Sequence, residues 1–99
     1  MSHPINSAMR DRIEVGILEA DVEMGFTLVD MAEAEWSGGD PSVASRVIEN
    51  AEDVYRDIEQ RLPRLGVLER VCFMALVGEL RREIDVARGH GNGEWPSGE

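Results

Sequence analysis

The chain has 99 residues and a formal net charge of −10, from 20 Asp and Glu against 10 Arg and no Lys. That surplus of acid excludes a basic face for phosphate, and with it nucleic acid and anionic membrane surfaces as partners. No apolar run approaches the roughly 20 residues of a membrane span, and no secretory leader pattern is visible. The length allows one domain with a small core, so a core shared with a second chain, as in a homodimer, is an expectation from the outset. The charge is uneven: residues 1–60 hold fourteen acids and four Arg, whereas residues 61–99 hold six of each. The single cysteine, Cys72, has no internal disulfide partner and reads as a small buried hydrophobe in a reduced, cytoplasmic compartment.

Residues 1–6 read as a flexible lead-in, 7–88 as a single three-helix domain and 89–99 as a disordered tail rich in Gly. The first helix is predicted from Ser7 to about Trp36, with Asn6 or Ser7 as its cap. It carries two apolar rows. One is Ile13, Ile17, Ala20, Met24, Leu28 and Met31; the other is Leu18, Val22, Val29, Ala32 and Trp36. A single neighbouring helix would not cover both. Gly16 and Gly25 interrupt this helix, each at about 1 kcal/mol against Ala unless close packing needs it.

Ser37-Gly38-Gly39 ends that helix, and Asp40-Pro41 caps and starts the next. The second helix, predicted to about Leu62, has one apolar face: Val43, Ala44, Val47, Ile48, Ala51, Val54, Tyr55, Ile58 and Leu62. Pro63 to Gly66 breaks it. The third helix is predicted over 67–88, on the stripe Phe73, Leu76, Val77, Leu80, Ile84 and Ala87, with Gly89 as its stop. The apolar run at 71–77 needs cover on every side. The expected fold is all-α, a three-helix antiparallel bundle made of a helical hairpin plus a third helix.

Catalytic chemistry finds little support. The only histidines, His3 and His90, fall in the two predicted flexible ends, where no triad can hold them in geometry. Zinc would need Cys/His clusters, and no cofactor is expected. One acidic pattern stands out: Asp30-x-x-Glu33 and Glu49-x-x-Glu52, at similar heights on the two arms of the hairpin. It resembles the carboxylate motif of the all-α nucleotide pyrophosphohydrolases of the MazG-like family, with Asp first and Glu last where that family has the reverse. The resemblance implies Mg²⁺ held by those four oxygen ligands.

Residues 28–51 carry a second likeness. Gly39-Asp40-x-x-x-Ala44-x-x-x-Ile48-x-x-Ala51, with Leu28, Met31 and Ala32 before it, resembles a single tetratricopeptide (TPR) unit and the related MIT-type domain. Glu35 stands at the unit's aromatic position, and Pro63 comes about seven residues later than its terminal Pro. This likeness implies binding of a protein or peptide in a groove, without catalysis.

The expected function is therefore a non-catalytic protein–protein interaction module. It takes a helix or peptide between the first and third helices, with Met24, Leu28 and Met31 as an apolar floor and Glu23, Asp30 and Glu33 as an acidic rim for a basic partner. The alternative is the Mg²⁺-dependent pyrophosphohydrolase, acting through Asp30, Glu33, Glu49 and Glu52. Tyr55 is expected to be packed, Trp36 to cover the bundle end, and Trp95 lies in the tail.

Overall fold

The computed structural model describes residues 7–91. They form three helices and no strand: α1 (Ser7–Gly38), α2 (Pro41–Arg61) and α3 (Val67–Gly91), with one 3-10 turn at Leu62–Arg64. Every helix packs on both others, and α1 with α2 forms the most extensive of the three interfaces. The architecture is an antiparallel three-helix bundle. The predicted lead-in and the tail beyond Gly91, including His3 and Trp95, lie outside the described residues.

The turn between α1 and α2 is tied from both sides. The Asp40 side chain accepts from the Ser42 amide at 2.9 Å and the Ser42 hydroxyl at 2.8 Å. Its backbone carbonyl accepts from Val43 and Ala44, and Pro41 opens the helix. From the α1 side, Glu35 Oε1 accepts from the Asp40 amide at 2.8 Å. A Cβ on Gly39 would overlap that Glu35 carboxylate. Glu35, which stands where a TPR unit has its aromatic, thus serves the turn.

The core joins Leu18, Val22, Val29 and Ala32 of α1 to Ala44, Val47, Ile48, Ala51 and Ile58 of α2 and to Phe73, Val77, Leu80, Ile84 and Ala87 of α3. No polar or charged residue is buried among the described residues. All nine apolar positions predicted on α2 are in this core or packed against it. On α1 the second row is inside from Leu18 to Ala32, Trp36 is half-buried, and Val15 and Phe26, in neither row, pack against the core. In the first row Leu28 is half-buried, and Ile13, Ile17, Ala20, Met24 and Met31 are exposed.

Two glycines of α1 have opposite roles. A Cβ on Gly25 would come within 2.7 Å of a Leu80 methyl, and Leu80 is fully buried, so a side chain on α1 has no free space here. Nothing lies within 4 Å of a Cβ placed on Gly16. Gly16→Ala is therefore expected to raise stability by about 0.5–1 kcal/mol through helix propensity. Gly25→Ala is expected to lower it by about 1 kcal/mol, because overpacking outweighs the same propensity gain. Denaturant melts of the two variants check the difference in sign.

Candidate functional site

α3 is fastened at its C-terminal end. Arg88 pairs with Glu52 of α2, Arg81 reaches the same carboxylate at 3.5 Å, and Arg81 also binds Asp85 at 2.6 Å and stacks over the Tyr55 ring at 4.9 Å. His90 Nδ1 lies 2.8 Å from Glu33 Oε1 of α1. The helix therefore runs through Gly89, which the sequence reads as a stop, and His90 is placed in a defined contact rather than in a flexible end. The physical reason is tertiary: the last turn is clamped to both other helices, and that outweighs the weak propensity of Gly.

The same contacts redefine the acidic pattern. Glu33 faces His90 and Glu52 faces Arg88 and Arg81 of α3, while Asp30 and Glu49 are exposed. Among the described residues no three His, Cys, Asp or Glu side chains come together in a way that could hold a metal ion. The four carboxylates of the alternative Mg²⁺ reading do not converge, because Glu33 and Glu52 turn to α3 while Asp30 and Glu49 face outward. Glu52→Gln is expected to cost about 1 kcal/mol, the scale of a partly exposed ion-pair network, and a thermal melt reads the loss.

A second charged cluster closes the other end. Arg61 lies 3.1 Å from Asp57, 3.7 Å from Glu14 and 3.8 Å from Asp21, and Arg64 lies 3.8 Å from Glu14. Glu14 Oε1 and Asp21 Oδ2 are shielded from solvent yet accept no hydrogen bond. Burial first, and then the adjoining Asp57, hold the Asp21 carboxyl above the ordinary carboxylate value, while Arg61 opposes the rise. Its partner Asp57 is held below that value, chiefly by the hydrogen bond from Arg61.

The folded state thus binds a proton at Asp21 more tightly than the unfolded chain does. Stability from this group is present at acid pH and lost as pH rises through its raised folded value. Asp21→Asn removes that loss. The variant is expected to melt above wild type at neutral pH, with the advantage vanishing as the pH falls below the ordinary carboxylate range. Paired melts across pH check it.

Between these ends α1 and α3 stand apart. An open groove of about 360 Å³ runs between Val15 and Glu19 of α1 and Leu68, Glu69, Cys72, Phe73 and Leu76 of α3. It continues through Glu19, Phe73 and Leu76 into a second hollow that reaches Val22, Glu23 and Phe26. From Val15 to Phe26 the groove follows about three helical turns, roughly 16 Å. Its walls are apolar, and its edges carry Glu19, Glu23 and Glu69. Leu76, predicted in the core stripe, is 44% exposed here, and Cys72, predicted buried, is exposed on the groove wall. Their run 71–77 turns one face inward through Phe73 and Val77 and leaves the rest uncovered.

Met24, Leu28 and Met31 are not in this groove. They line, with Ala20, Glu23 and Thr27, a shallow depression made entirely by the outer face of α1. Of the predicted rim, Glu23 borders both hollows, Asp30 is exposed and Glu33 is held by His90. Cys72 and Leu76, which the sequence places in the interior, instead line the wall of the groove between α1 and α3.

No protein-family model matches the chain, and no curated protein or solved structure matches it. No helix among the described residues is long and apolar enough to cross a membrane.

Proposed function

We propose that the chain is a non-catalytic interaction module that binds an amphipathic helix or peptide in the groove between α1 and α3. The observation that carries this reading is the groove itself. It is open, apolar along three helical turns, and of a size that ordinary ligand sites occupy. A guest helix presenting apolar residues at i, i+3 or i+4 and i+7 matches such a cleft. The acidic edges, Glu19, Glu23 and Glu69, favour Lys or Arg at the guest's flanks and speed its approach at low salt. A reduced, cytoplasmic setting accords with a free thiol on the groove wall.

The test uses a displayed library of helical peptides. Binders are expected to carry the spaced apolar residues together with basic flanks. Leu76→Glu is expected to weaken them about tenfold or more, as removal of a central apolar anchor does. Alkylation of Cys72 by a bulky maleimide is expected to block them, whereas Met24→Glu on the far face leaves them unchanged. Binders that are indifferent to Leu76→Glu and to Cys72 alkylation would overturn the proposal.

A further inference from the structure

The outer face of α1 repeats the spacing of its inner face. Inside, Leu18, Val22, Gly25, Val29, Ala32 and Trp36 recur at alternating steps of four and three residues. Outside, Ile13, Ile17, Ala20, Met24, Thr27 and Met31 recur at the same steps. Such a seven-residue repeat is the spacing with which one helix meets another along a continuous seam. The inner seam is filled by α2 and α3. The outer one is bare: Ile13 is 53% exposed, Met24 54% and Met31 50%. It extends about 27 Å, and Leu28 borders it half-buried.

We infer that this seam is closed by a second copy of the chain, its α1 laid antiparallel across a two-fold axis near Val22. The seam is self-complementary about that point. Ile13 then meets the partner's Met31, Ile17 meets the partner's Thr27, and Ala20 meets the partner's Met24. Each pair recurs with the roles exchanged, as a two-fold interface requires. Two of the three layers set a larger side chain against a smaller one, so they interlock without crowding.

Charge selects the orientation. The only basic residues of α1 are Arg10 and Arg12, both exposed near its start and in no ion pair among the described residues. Asp30, exposed, and Glu35, which also receives the Asp40 amide, lie near its end, while Glu33 faces α3 and is held by His90. An antiparallel pairing sets each arginine pair beside the opposite helix's acidic end. A parallel pairing would stack Arg10 on Arg10 and acid on acid. The helix is already formed and held by the bundle, so association does not bear the cost of ordering it. The groove between α1 and α3 lies on another flank of α1 and stays open in the dimer.

Sedimentation of the full chain from low to high micromolar concentration gives the first reading, and a concentration-dependent dimer is expected. Met24→Glu and Ile17→Glu, both at exposed positions and checked for helicity by circular dichroism, are each expected to weaken it at least about tenfold. Leu76→Glu, in the groove, is expected to leave it intact. The orientation is read in a Cys72→Ser background. Ala20→Cys with Met24→Cys in one chain is expected to give a disulfide-linked dimer, and neither cysteine alone is. A monomer throughout the range would overturn the inference. So would a dimer lost with Leu76→Glu but kept with Met24→Glu, or efficient linkage by either single cysteine.

Discussion

A 32-residue helix with two apolar seams cannot be enclosed by partners of 21 and 25 residues. The rest of the structure follows from that constraint. α2 lies along α1 because the tied turn at Glu35, Gly39 and Asp40 returns the chain directly onto it. The small side chains Ala32, Ala44 and Ala51, all fully buried, let the two backbones approach. α3 then completes the inner seam. Nothing in the described chain remains to cover the outer one. A stripe of this length is unusual on a soluble monomer, where large contiguous apolar patches mark interaction sites.

The groove has an equally local cause. α3 is drawn in where Gly25 admits Leu80, and its last turns are fixed by Glu52 and Glu33. One and two turns toward its N-terminus, the bulk of Leu76 and Phe73 faces Phe26 and Val22. At the Gly25 level a side chain would overlap Leu80, whereas one and two turns away these bulky side chains wall an open hollow. Side chains in a close-packed interior do not compress to remove such a step. The cleft therefore lies beside the level at which Gly25 receives Leu80.

These causes explain what the sequence made legible. α2 was readable in full, since its apolar residues occupy one face and its cap is spelled out by Asp40-Pro41. The helix count and both breaks were readable for the same reason. α1 was not, because both of its faces are apolar at helical spacing, and periodicity alone does not say which row turns inward. The groove was out of reach, since it depends on Gly25 being opposite Leu80 while Phe26 is near Phe73, a tertiary alignment. The Glu33–His90 contact was missed because Gly89 signalled an end that tertiary clamping overrides. The carboxylates of the Mg²⁺ reading stand out by their spacing, and two of them are committed to side chains of a helix far along the chain, 29 residues on for Glu52 and Arg81 and 57 for Glu33 and His90.

The two exposed apolar surfaces have different chemistry. The outer seam of α1 is a convex ridge on one helix, suited to a second ridge of the same spacing. The groove is concave, walled by two helices and edged with acid, suited to a guest segment. Assigning both to one partner would leave the ridge-and-groove shapes mismatched. In the proposed dimer, a two-fold axis between the two α1 helices would relate two grooves running in opposite directions. A ligand with two basic helical segments would then engage both. The second engagement would proceed at the effective concentration set by its linker, in the millimolar range for a short flexible one. Modest affinity at each groove would be compatible with tight overall binding in such an arrangement, because the proposed dimer would contribute the second site without any new contact at the first.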